Sequence, residues 1–210
     1  HKYSIYIFLF IFSFFFNFYY GYRGVLPIDS FLIFDSGYFV MKGEYPFKDF
    51  WTITGPLLDY IQSFFFYLFG INWSSYVIHA SLINFLLVIF SYFFFQKIGL
   101  NKLYSVLYSI GVSILAYPSI GTPFPDHHAF IFSLIAVYLM ILAVIEKKNY
   151  YFFFVTLFLF LSFLSKQVNS FYLTTFFLLI ILINLFLSKE KNFSNIFYFI
   201  FGGLFPLIVF

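Results

Sequence analysis

The sequence contains no cysteine, which excludes disulfides and thiolate metal sites. Charge is nearly as scarce. Asp, Glu, Lys and Arg make up 9% of the chain, against about 25% in a typical soluble domain. So few charges cannot cover a water-facing surface, so the solvent of this chain is lipid. The net charge of +3 comes without a basic cluster, which excludes nucleic acid as a partner. A Walker loop, a GxSxG elbow, an HExxH pair and a dinucleotide fingerprint are all missing. No small-residue cleavage site follows the first apolar run, so no signal peptide is expected.

Apolar residues fill the space that charge leaves. They form 63% of the chain, with 40 Phe and 19 Tyr. Codon bias in an AT-rich genome accounts for the Phe count, which is given no functional meaning here. Insertion into a bilayer follows from apolarity whatever its origin. A spanning helix needs about 20 mostly apolar residues. Seven runs approach that length: Tyr3–Tyr20, Trp73–Phe95, Leu103–Tyr117, His128–Ile145, Tyr150–Ser165, Val168–Leu187 and Asn195–Phe210. The runs are continuous rather than alternating, so they predict helices and not barrel strands. The expected fold class is an all-α, polytopic transmembrane bundle of about seven spans.

The connections between runs alternate in charge. Lys2, Lys97 with Lys102, Glu146-Lys147-Lys148 and Lys189-Glu190-Lys191 fall on one side and hold seven of the eleven basic residues. The other side holds a long segment, residues 21–71, the PSIGTPFPD turn of residues 118–126, and Lys166-Gln167. The excess of lysine in short loops places the first side in the cytoplasm. The expected location is a bacterial inner (plasma) membrane, multi-pass, with the acidic segment facing the periplasm or exterior. The chain begins with His and stops within GGLFPLIVF, so residues 1–210 are expected to be the N-terminal module of a longer protein.

Residues 21–71 gather Asp29, Asp35, Glu44, Asp49 and Asp59, five of the eight acids. Ser30 and Asp35 are candidate helix N-caps. A helix over Ser30–Lys42 would end at Gly43, and Tyr45-Pro46 would break it. A second helix would start at Pro56 and close at Gly70. Leu57, Tyr60, Ile61, Phe64 and Phe65 recur at helical spacing, so its apolar face is expected to lie along the membrane interface.

Asp29, Glu44, Lys48 and Asp59 read as solvated surface or local ion pairs. Asp35 follows the apolar run FLIF. It reads either as an N-cap or as a partly buried carboxylate whose raised pKa suits general-base work. Asp126-His127-His128 reads either as a divalent cation's ligands or as a capping Asp followed by interfacial His. Lys166 reads either as a snorkelling side chain or as a cation for a phosphate. His79, within the second run, reads as packing or as a helix–helix hydrogen bond.

The stretch FDSGYFVMKGEYPFKDFWTITGPLLDYIQSFFFYLFG resembles the first outer loop of the C-type (GT-C) membrane glycosyltransferases, in the style of bacterial family 39, protein O-mannosyltransferases and aminoarabinose transferases. The matching elements are Asp35, the turn Gly43-Glu44-Tyr45-Pro46-Phe47-Lys48-Asp49-Phe50, and Pro56-Leu57, Tyr60 and Phe69-Gly70. The resemblance implies a sugar donor on a polyprenyl phosphate and a glycan, lipid or protein acceptor on the outer face. It makes Asp35 the catalytic acid of the first loop. The family's second acid, directly after the first, is replaced here by Ser36. Tyr45, Glu44, Asp49 and Lys166 become candidate substrate contacts, with Lys166 at the donor phosphate. Asp126 matches the second acidic site by location, and Asp126 with His127 are the candidate ligands of a divalent cation (Mg, Mn or Zn), the cofactor some relatives use. A different class, a membrane transporter or flippase for lipid-linked or polar solutes, would instead place ionisable groups inside the spans near mid-depth.

Overall fold

A computed structural model describes residues 2–24, 29–52, 54–117, 120–187 and 193–209. The Lys189-Glu190-Lys191 cluster and Pro118-Ser119 of the expected outer turn lie outside the described residues. Among the described residues the chain is all-helical. Its elements are α1 (Lys2–Tyr20), α2 (Asp29–Met41), α3 (Leu57–Phe69), α4 (Trp73–Lys97), α5 (Lys102–Ala116), α6 (Pro125–Glu146), α7 (Tyr150–Ser165), α8 (Gln167–Leu187) and α9 (Ser194–Val209).

Four of these are long and apolar enough to cross a membrane: Tyr3–Tyr20 of α1, and α4, α6 and α8. The other expected runs are helical where predicted but short. The 15 residues of α5 rise only about 22 Å, against a hydrocarbon core of about 30 Å. The described helices therefore establish a helical membrane protein with four helices of spanning length.

The chain forms two compact units, residues 1–128 and 129–210. In the first, α1 packs on α4 and α5, and α2 packs on α3. Local sequence sets the boundaries. Asn72 accepts from Ser75 N–H at 2.9 Å to cap α4, and Asn101 accepts from Tyr104 N–H at 3.0 Å to cap α5. Leu9 of α1 meets Val88 and Tyr92 of α4, with Val106 and Ile110 of α5 against them. Neutral polar groups then tie the helices together. Asn84 Nδ2 donates to Ser113 Oγ at 3.1 Å and to the Ser13 carbonyl at 3.3 Å, so one amide joins α1, α4 and α5. Asn17 Nδ2 donates to Ser81 Oγ at 3.1 Å one turn further along.

In the second unit α7 packs on both α8 and α9. Ser162 Oγ donates to the Ala129 carbonyl at 3.0 Å and lies 2.9 Å from Ser133 Oγ, which fixes α7 to α6.

The Asn84 strap has a testable weight. Hydrogen bonds between helices in lipid contribute about 0.6 kcal/mol each, with a maximum near 1.7. Asn84→Ala should cost about 1 kcal/mol of unfolding free energy, measured by thermal unfolding in one fixed detergent. A stability equal to wild type would mean that α1, α4 and α5 are held by apolar packing alone.

Candidate functional site

The acidic segment folds as two helices around a tight turn. Gly43 (φ 91°) follows α2 and Gly70 (φ 82°) closes α3, as the glycine placement predicts. Between them Asp49 acts structurally. Its Oδ2 accepts from Tyr45 N–H at 2.8 Å, and its own N–H donates to the Tyr45 carbonyl at 2.9 Å. Lys48 Nζ lies 3.8 Å from Asp49 Oδ1, an exposed pair worth little. Tyr45 is exposed and Glu44 half-buried. The helix begins at Asp29, so Asp35 stands inside α2 and does not cap it. Pro56 takes the N-cap position of α3 rather than its first turn.

Burial reverses the expected roles of the carboxylates. Asp35 is exposed, so the expected partial burial does not occur. Asp59, expected on a solvated surface, is 0% exposed. The cause lies in the facing of α3. Its buried side carries Leu57, Leu58, Asp59, Gln62, Phe65 and Phe66, while Tyr60, Phe64, Tyr67 and Leu68 face outward. The expected apolar stripe of Leu57, Tyr60, Ile61, Phe64 and Phe65 is thus divided between both faces. A carboxyl and an amide are costly to bury unless they meet hydrogen-bonding neighbours.

Those neighbours come from α2 and from the segment before α3. Ser36 Oγ donates to Asp59 Oδ1 at 2.6 Å. Thr52, also buried, supports the same carboxyl. Asp59 Oδ2 and Gln62 Nε2 are buried without a hydrogen-bond partner among the described residues. The close packing needs Gly37, since a Cβ there would stand 2.7 Å from Gln62 Cβ. Position 36, where the resemblance leads one to expect a second acid, therefore holds a hydroxyl aimed at an acid on the next helix.

From Gln62 a buried line of hydrogen bonds continues. Gln62 Oε1 lies 2.9 Å from His79 Nδ1. His79 Nε2 lies 3.0 Å from His128 Nε2, and His128 Nδ1 lies 2.9 Å from Tyr117 Oη. Phe124 N–H donates to Tyr117 Oη at 2.8 Å. His128 Nδ1 also lies 3.2 Å from the Phe124 carbonyl, so the donor and acceptor roles along the line depend on the tautomers of the two imidazoles. His79 is thus in a helix–helix hydrogen bond between α4 and α6, in agreement with one of its two expected roles. Its ring also stacks on Phe65, with centroids 5.1 Å apart.

The two imidazoles of Asp126-His127-His128 pack in different places. Asp126 sits half-buried in the first turn of α6, where the helix dipole favours a carboxylate. His127 packs on Tyr117 and Phe124 at ring distances of 5.2 and 5.7 Å, while His128 turns inward to His79. Among the described residues no three His, Asp or Glu side chains converge as a metal-ligand set. Lys166 belongs to the second unit. It is the single extended residue (φ −156°, ψ 125°) between α7 and α8, and its N–H donates to the Ser162 carbonyl at 2.8 Å.

No protein-family model matches the chain, and comparisons with curated proteins and with solved structures gave no significant match.

The buried carboxyl carries a pH signature. Burial pushes Asp59 up from 3.8 to about 6, against the opposing hydrogen bonds of Ser36 and Thr52. The folded state then binds the proton more tightly than the unfolded chain, so stability is highest at low pH. It should fall as pH rises from 3.8 to about 6 and level off above. Asp59→Asn should remove this slope, and Ser36→Ala should carry the fall to higher pH. Unfolding temperature followed across pH in detergent checks both, and an unchanged slope in Asp59→Asn would assign it to another group.

Proposed function

We propose that this chain is the membrane module of a glycosyltransferase that moves a sugar from a polyprenyl-phosphate donor to an acceptor on the outer face of the membrane. The observation that carries the proposal is the build of residues 29–70. One carboxylate, Asp35, stands exposed on α2, and the adjacent Ser36 is anchored to a second, buried carboxylate on α3. In this proposal α2 and α3 lie at the outer interface, the shorter helices α5, α7 and α9 complete a seven-span layout, and the lysine-bearing loops face the cytoplasm.

The chemistry follows from the leaving group. A lipid phosphate departs as a stable anion and needs no acid. The anomeric C–O bond to phosphate breaks with its electron pair leaving on the phosphate oxygen, while the acceptor oxygen forms the new C–O bond. The acceptor proton must go to a base, and Asp35 is the carboxylate open to it. Asp59 takes a positioning role, since its bond to Ser36 fixes the turn of α2 that carries Asp35. A transporter would need ionisable groups at mid-depth. The links named above among α1, α4 and α5, made by Asn17, Ser81, Asn84 and Ser113, are neutral, which favours the enzyme.

General-base catalysis contributes about 10²- to 10⁴-fold. In membranes carrying the full-length protein, Asp35→Asn should lower transfer of radiolabelled polyprenyl-linked sugar by at least about 100-fold at unchanged expression. Asp59→Asn should lose less. Transfer at the wild-type rate in Asp35→Asn would sink the assignment.

A further inference from the structure

The second unit contains a cavity of about 450 Å³, within the size range of about 300–1,000 Å³ usual for small-molecule sites. It lies where α6 and α8 end and α7 and α9 begin, at the lysine-bearing end of these helices. Four polar residues line it: Lys147, Asn149, Asn184 and Asn195. Apolar side chains, Met140 and Ile181 among them, complete the lining. Asn195 Oδ1 is buried without a hydrogen-bond partner among the described residues.

Local chemistry gives the cavity its charge. Glu146, the acid beside it, is engaged elsewhere. It lies 2.8 Å from Lys148 Nζ and accepts from Tyr151 Oη at 3.2 Å. Lys147 follows in a left-handed conformation (φ 53°), uncommon for a residue with a Cβ, and reaches the cavity lining. Asn149 does not cap α7 with its side chain. Its Nδ2 donates instead to Ser194 Oγ at 3.0 Å, which ties the start of α7 to the start of α9. The cavity therefore combines a lysine, three asparagines and an apolar wall, with the dipoles of two helix starts offset by those of two helix ends.

We propose that this cavity binds the head of an anionic phospholipid that carries hydroxyl groups. The phosphate meets Lys147 and the start of α7. Head-group hydroxyls meet the asparagine side chains that line the cavity, and the first acyl carbons lie against Met140 and Ile181. A soluble polyol phosphate shares the polar half of this chemistry but leaves the apolar wall uncovered. The site is independent of the sugar-transfer proposal and involves no residue assigned there.

Native mass spectrometry of the full chain, released from micelles doped with phosphatidylglycerol or phosphatidylcholine, tests this. Wild type should retain phosphatidylglycerol over phosphatidylcholine by about fivefold, the discrimination that one lysine near a membrane surface supplies. Lys147→Gln should reduce the ratio to about one, and Lys147→Gln with Asn195→Leu should also lower total retention. Unfolding temperature in lipid-free detergent establishes that each variant is folded. If the double variant fails to fold, Lys147→Gln alone decides. Equal retention of both lipids by wild type, or an unchanged ratio in Lys147→Gln, overturns the proposal. Displacement of phosphatidylglycerol by equimolar glycerol phosphate overturns the lipid and assigns a soluble phosphate ester.

Discussion

The constraint on which this structure depends is that its polar groups must find partners inside it. Around the chain there is too little charge for water to be the solvent, and hydrocarbon offers no hydrogen bonds. The usual burial pattern inverts as a result. Tyr67, Leu115, Phe186 and Leu187 are each at least 80% exposed, while Asn17, Gln62, His79, Ser81 and Asn84 are 0% exposed. Apolar contact between helices earns little extra in lipid, so specificity passes to Asn, Ser and His side chains placed where helices cross. Asn84 holding three helices and Ser162 holding α7 to α6 are two instances of one rule.

The same rule shapes the acidic segment. A carboxylate on α3 turned toward lipid would be costly, so the helix rotates until Asp59 and Gln62 face α2 and α4. Gly37 provides the space, Ser36 the first hydrogen bond, and Gln62 hands the line on to His79, His128 and Tyr117. The N-terminal parts of α4 and α6, Tyr117 after α5, and the α2–α3 pair are thereby joined by one line of hydrogen bonds. Asp35, one residue from Ser36, is exposed.

Much of the fold was legible, and the reason is physical. Long apolar runs and Asn, Gly or Pro at their ends report helices directly, because backbone hydrogen bonding in lipid admits little else. The helix closing at Gly70 and the turn at Gly43–Asp49 followed from local chemistry alone. Span length was less legible, since an apolar run does not reveal where its helix starts and stops. The expected apolar face of α3 is met in part: Tyr60 and Phe64 face outward, while Leu57 and Phe65 pack inward beside Asp59 and Gln62. The set Leu58, Asp59, Gln62, Phe65 and Phe66 has equally good helical spacing and was the better guide once lipid is taken as the solvent. In such a chain the polar members of a helix mark its inner face. The pairing of His79 with His128 lay beyond reach, because 49 residues separate them and no local pattern reports a contact so distant in sequence.

This inversion bears on how acids in such chains should be ranked. In a water-soluble enzyme, a carboxylate after an apolar run is the natural candidate for burial and a raised pKa, and Asp35 fits that description. In lipid, burial is governed by the availability of a polar partner on a neighbouring helix. Asp59 has Ser36 and Thr52, and it is Asp59 that burial moves up to about 6. A base for an acceptor hydroxyl must also be reachable, and Asp35 is exposed. In the proposed reaction, fixed geometry and free access are divided between two residues, Asp59 as the fixed point and Asp35 as the accessible base, with Ser36 joining them.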